Sequence, residues 1–80
     1  MPVELMFLGR LRDIAGASSR SAACRADESL AALVSSLEPQ LAAELASTRV
    51  RVSVNGTLTS LCERVRDGDE VAFLPPVSGG

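Results

Sequence analysis

Val50-Arg51-Val52-Ser53-Val54-Asn55-Gly56-Thr57-Leu58-Thr59-Ser60-Leu61 decides how this chain folds. Valines alternate with polar residues over 50–54, the period-two pattern of a strand with one buried face. Asn55-Gly56 accepts the positive φ that a two-residue hairpin turn demands. Thr57 to Leu61 then returns as a second strand. Downstream, Asp67-Gly68-Asp69 turns the chain into a last strand, Glu70 to Leu74. Upstream, Leu30, Leu33, Val34 and Leu37 fall at i, i+3, i+4 and i+7, the spacing of an amphipathic helix. Asp27 is its expected N-cap. Pro39 is expected to end or kink that helix, because proline lacks the N–H and clashes with the preceding turn. Leu41 and Leu45 carry a further helical stretch.

The N-terminal third repeats the logic. Val3 to Leu8 reads as a strand apolar on both faces, with only Glu4 polar. Gly9 breaks it. Arg10 to Ala15 makes a short helical turn with Leu11, Ile14 and Ala15 inward, and Gly16 stops it. Ala17-Ser18-Ser19 is a loop, and Ser21 to Arg25 a second, weaker strand. The order is strand, strand, helix, strand, strand, strand. Two hairpins flanking one main helix predict an α+β fold: a mixed sheet of about five strands packed on one main helix plus short helices. This is the β-grasp, or ubiquitin-like, arrangement.

Composition narrows the function. Eighty residues make one domain. The net charge is −2 with the arginines scattered, which argues against a nucleic-acid surface. No apolar run approaches a membrane span, and no secretory signal pattern opens the chain. Two cysteines, Cys24 and Cys62, are too few for a disulfide framework, so a cytoplasmic location is expected. Each reads as a small apolar filler on strand parity, Cys24 with Ala22 and Cys62 with Leu58 and Ser60. The chain has no His, Tyr, Trp or Lys. It therefore lacks the usual general base near neutral pH, the commonest metal ligand and a Schiff-base amine. We expect no metal site, no bound cofactor and no catalysis by this chain alone.

Strand parity predicts an interface. Val3, Leu5 and Phe7 share one face of the first strand, and Val71 and Phe73 one face of the last. One helix layer covers one sheet face only. With those residues inward, Met6, Leu8, Ala72 and Leu74 lie outside, and Leu58 extends the set. Contiguous exposed apolar area marks a partner site.

The chain closes on Phe73-Leu74-Pro75-Pro76-Val77-Ser78-Gly79-Gly80. We expect a folded domain over 1–74 and a flexible tail over 75–80. Two prolines stiffen the base, lowering the entropy lost when a tail threads into a site. Two glycines leave the tip without side chains. Six residues after Leu74 reach roughly 20 Å when extended.

The closing run from Asp67 to Gly80, with Val54-Asn55-Gly56 and the opening Phe7-Leu8-Gly9-Arg10-Leu11-Arg12-Asp13, resembles the small, sulfur-carrying subunit family of molybdopterin synthase. Residues 17–49 match it only in pattern. The sulfur carriers of thiamine and cysteine biosynthesis and ubiquitin-like modifiers share the terminal Gly-Gly, but usually not the Pro-Pro-Val-Ser before it. The resemblance implies that a ubiquitin-activating-type adenylyltransferase uses ATP to adenylate the Gly80 carboxylate. A sulfur donor then converts it to a thiocarboxylate. The tail, Pro75, Pro76, Val77, Ser78, Gly79 and Gly80, enters the large subunit of a heterotetrameric synthase, where its sulfur helps build the dithiolene of molybdopterin. The matching family positions also favour Met6, Leu8, Leu58 and Leu74 as partner contacts. A carrier for thiamine or cysteine, or a protein modifier attached through Gly80, is the alternative.

Overall fold

Alternating apolar residues draw Val3–Phe7 (β1), Arg51–Val54 (β4) and Glu70–Leu74 (β7) into the middle of a single sheet. The computed structural model describes residues 2–23 and 28–76. Between and around these strands lie α1 (Leu11–Ala15), β2 (Ser19–Ala22), β3 (Glu28–Ser29), α2 (Leu30–Ser35), α3 (Pro39–Leu45), β5 (Thr57–Thr59) and β6 (Arg64–Val65). The five-stranded sheet runs β2-β1-β7-β4-β5. β1 and β7 are parallel and the other neighbours antiparallel, so the sheet is mixed as expected. β3 and β6 form a separate two-stranded ribbon that the alternation did not predict.

Register fixes the faces. Leu5 lies opposite Val71, Phe7 opposite Phe73, and Phe73 opposite Val52. All five are buried, together with Leu11, Leu30, Leu33, Leu41, Leu45 and Val65 from the elements over the sheet. Phe7 and Phe73 stack with centroids 5.7 Å apart and planes 11° from parallel. The β4–β5 hairpin closes where the sequence placed it, with Asn55 at φ 51° and Gly56 at φ 87° between the paired Val54 and Thr57. Positive φ at both central residues matches the right-handed twist of the strands.

Several boundaries differ from expectation, each for a local reason. A second helical stretch follows the first, as expected, but the first already ends at Ser35, before Leu37. In α2 the Ser35 and Ser36 hydroxyls donate to the Ala32 and Leu33 carbonyls (2.8 and 2.6 Å), competing with continued helical bonding. Glu38, preceding proline, is held extended at ψ 141°. Pro39 therefore begins α3 rather than merely ending α2, as suits a residue whose missing N–H is no loss at a first turn. Leu37 falls outside the helix yet still packs against the core. The capping role expected of Asp27, which lies outside the described residues, belongs to Ser29, whose Oγ accepts from the Ala32 N–H at 3.2 Å. The next orphan donors are also satisfied, Leu30 N–H by the Glu63 carbonyl and Ala31 N–H by Leu61, both at 2.9 Å. The second strand, Ser19–Ala22, begins two residues before the expected Ser21, because Ser19 pairs with Met6; residues 24 and 25 of the expected strand lie outside the described residues. The hairpin's return strand stops at Thr59, and Cys62 is exposed in the turn that follows. Its expected role as an apolar filler is therefore incorrect: the parity count assumed a strand that has already ended.

Candidate functional site: the outer sheet face and the root of the tail

The face of the sheet opposite the helices carries a row of side chains in register across all five strands. Ser19 pairs with Met6, Met6 with Ala72, Ala72 with Ser53, and Ser53 with Leu58. Parity thus places Met6, Leu58 and Leu74 on this outer face. Leu8 directly follows β1, and its N–H donates to the Phe73 carbonyl at 3.1 Å, so the parallel ladder continues one residue beyond the strand. Leu8 is 42% exposed and Leu58 59%, the two large apolar residues most open to water among those described. Met6, Ala72 and Leu74 are partly exposed. Leu58 stands three strand spacings from Met6, roughly 14 Å. The row is therefore a band across the sheet and not one tight cluster.

Its borders are polar. Leu74 lies opposite exposed Arg51, and Glu4 opposite Glu70. The Ser21 hydroxyl donates to the Glu4 carboxylate at 3.2 Å. Beside β5 the band runs into an open groove of about 460 Å³, whose lining includes Leu58, Leu61, Val50, Arg51 and Ser60. Arg51 is the one ionisable side chain in that lining. The groove offers shape and apolar contact rather than proton-transfer chemistry. Arg51 had no signal in the sequence that set it apart from the other arginines; its position beside Leu74 follows only from the β4–β7 register.

The tail leaves from β7, and β7 is the central strand. Both edges of this strand are hydrogen-bonded, so the base of the tail is held by the whole sheet. The turn that feeds β7 is tied down too. The Asp69 carboxylate accepts from the Arg66 N–H at 2.9 Å and from Asn55 Nδ2 at 3.0 Å. The Glu70 N–H donates to Asn55 Oδ1 at 3.0 Å. These bonds, the Arg66 N–H foremost, hold the Asp69 carboxyl below the usual carboxylate range. Asn55 thus serves two ends, turning one hairpin and anchoring the start of the last strand.

Beyond Leu74, Pro75 and Pro76 are half-buried. Pro75 packs on Gly9, where φ is +56° and a β-carbon would stand 2.8 Å from the proline Cγ. Val77, Ser78, Gly79 and Gly80 lie outside the described residues, as does Cys24. Among the described residues no three His, Cys, Asp or Glu side chains are grouped to hold a metal ion. No helix among them is long and apolar enough to cross a membrane.

Known proteins share this architecture. The ThiS family model matches residues 5–80. The molybdopterin synthase sulfur carrier subunit of Escherichia coli (strain K12) is 31% identical over 80 residues, spanning 98% of this chain and 99% of that one. The crystal structure of SAMP1 from Haloferax volcanii superposes with a TM-score of 0.84 over 100% of both chains at 25% identity. A chain of the Amycolatopsis orientalis BexX/CysO complex has the same fold, with a TM-score of 0.75 at 23% identity over 98% of this chain and 99% of that one. The match to one family over nearly the whole length, on a β-grasp sheet whose central strand runs into the Pro-Pro-Val-Ser-Gly-Gly ending, leads to one assignment: this chain belongs to the ThiS family of ubiquitin-like sulfur carriers.

Proposed function

We propose that this carrier is the small subunit of a molybdopterin synthase, not catalytic alone, and that Gly80 is its working residue. The observation that carries the reading is the end-to-end similarity to the Escherichia coli molybdopterin synthase sulfur carrier subunit, combined with a terminus that departs from the central strand of the sheet. In this reading an adenylyltransferase joins the Gly80 carboxylate to the α-phosphate of ATP and releases pyrophosphate. A donor supplies sulfur at the sulfide oxidation level, which displaces AMP and leaves a thiocarboxylate. ATP is consumed by the activating enzyme and is not a ligand of this chain.

The large subunit and the activating enzyme dock on the outer band, with Met6, Leu8, Leu58 and Leu74 as its apolar contacts. Exposed leucines set among polar residues suit such a use, since interfaces combine apolar anchors with a polar surround. The tail then enters the partner's site. In this reading the chemistry falls to the partners.

Incubation with the cognate activating enzyme, ATP and a sulfur source tests the reading by intact mass. The expected gain is the exchange of one oxygen for sulfur, located in the C-terminal peptide. Sulfur on Cys24 or Cys62 instead refutes it. The similarity to SAMP1, a small archaeal modifier protein, favours a second use of the same activated carboxyl: attachment through Gly80 to lysines of other proteins. Lysine-dependent conjugates of high mass in cell extract would support that use.

A further inference from the structure

We propose that Gly9 is a positioning residue: it is the seat on which Pro75 rests, and it sets the direction in which the tail leaves the sheet. The proposal rests on the sulfur-carrier reading and adds to it a residue outside the tail. Three observations support it. At Gly9 a β-carbon would lie 2.8 Å from Pro75 Cγ, closer than real β-carbons come to a neighbour, and the next ring atom, Cδ, is at 3.7 Å. The proline ring therefore occupies the space a side chain would need. Gly9 also has φ +56°, a conformation that glycine adopts without the β-carbon penalty.

Its backbone, finally, is held from both sides. The Leu8 N–H donates to the Phe73 carbonyl at 3.1 Å, tying this segment to the strand that carries the tail. The Gly9 carbonyl accepts the Arg12 N–H at 3.2 Å, at the first turn of α1. A seat fixed to both β7 and α1 cannot slide away from an incoming side chain, so Pro75 must move instead. The displacement is passed to Pro76 and the residues beyond, because proline's fixed φ leaves little slack at the tail's base.

The test separates backbone strain from the collision with the ring. Gly9→Asn adds a β-carbon while keeping a residue that tolerates positive φ, as Asn55 does at φ 51°. Pro75→Ala removes the Cγ that would collide. Full-length chains bearing a terminal thiocarboxylate, made by sulfide cleavage of an intein fusion, are mixed with the large subunit and a cyclic pyranopterin that lacks the dithiolene. Single-turnover sulfur transfer and affinity for the large subunit are measured separately. For Gly9→Asn the transfer rate is expected to fall roughly ten- to a hundredfold, the scale of a misplacement near 1 Å at a reacting centre. Affinity should hold, since the outer band is untouched. In the Pro75→Ala background the cost of Gly9→Asn should disappear.

An equal cost in both backgrounds overturns the proposal, as does full activity of Gly9→Asn. Independently of any activity, NMR of the unmodified chain should show a nuclear Overhauser contact between the Gly9 α-protons and the Pro75 γ-protons. Its absence also overturns the proposal. Failure of the unsubstituted thiocarboxylate to transfer sulfur would count against the carrier reading, and the Overhauser contact would then still decide whether Pro75 is seated on Gly9.

Discussion

Adjacent residues of the last strand should respond to truncation in opposite ways. Phe73 is fully buried between Phe7 and Val52 and stacks on the Phe7 ring. Phe73→Ala removes a whole ring from the middle of the sheet, at a cost of about 3–5 kcal/mol. A domain of this length holds only about 4–12 kcal/mol of total stability at roughly 0.05–0.15 kcal/mol per residue. The loss is therefore a large share, and at 4–8 °C per kcal/mol the midpoint should fall by about 12 °C or more. Leu74, one residue on, points to the outer face and is partly in water already. Leu74→Ala should cost about 1 kcal/mol of stability, since only part of the side chain's transfer energy is at stake. Its larger effect should be on binding to the large subunit, weakened by about 1–2 kcal/mol, as for truncation of an interface anchor. Thermal unfolding by circular dichroism and titration calorimetry against the large subunit measure the two quantities. A Leu74→Ala chain that unfolds, beside a Phe73→Ala chain that folds normally but binds poorly, would mean the faces are reversed and would remove the interface.

Deleting Gly80, or adding one residue after it, should abolish transfer in a reconstituted synthase assay while shifting stability by less than about 0.5 kcal/mol; activity in either variant would contradict a terminal-carboxylate mechanism. Ser29→Ala should destabilise the domain by about 1 kcal/mol in urea unfolding, because the α2 cap is lost, whereas Asp27→Ala should not show a capping loss. Asp69 has a folded-state pKa below its unfolded value. Its contribution is therefore fully present above the ordinary carboxylate pKa of about 4 and is lost as pH falls through the lower folded value. Urea midpoints across that acid range should show the Asp69→Asn chain losing less stability than wild type; parallel acid limbs would show that Asp69 is not the group involved.

Features that depend only on neighbours along the chain are readable from residue order. Val50 to Val54 alternates, and the strand Arg51–Val54 has that parity. Asn55-Gly56 dictates its turn because only residues at ease with positive φ close a two-residue hairpin. The parity of Val3, Leu5 and Phe7 and of Val71 and Phe73 predicted which side chains are buried, since alternation along a strand is set by the backbone itself. The expectation of a working terminus at Pro-Pro-Val-Ser-Gly-Gly rests on the same kind of local property: the stiffness of the two prolines and the bare backbone of the two glycines.

Other features depend on residues far apart in the chain and follow from how the elements pack. That the last strand lies at the centre, between β1 and β4, follows from which strands gain most by pairing, and periodicity does not encode pairing. Ser29 rather than Asp27 starts α2 because Leu61 and Glu63, more than thirty residues away, supply carbonyls for its first N–H groups. The hairpin's return strand ends at Thr59, earlier than its composition suggests, because the chain must turn there to reach those same N–H groups, and this leaves Cys62 in water. Leu8, Leu74 and Arg51 meet only because parallel and antiparallel neighbours flank one strand. Gly9 reads in the sequence as a strand breaker. Its contact with Pro75, 66 residues later, exists only once β1 and β7 lie side by side, because backbone pairing brings their ends to the same edge of the sheet.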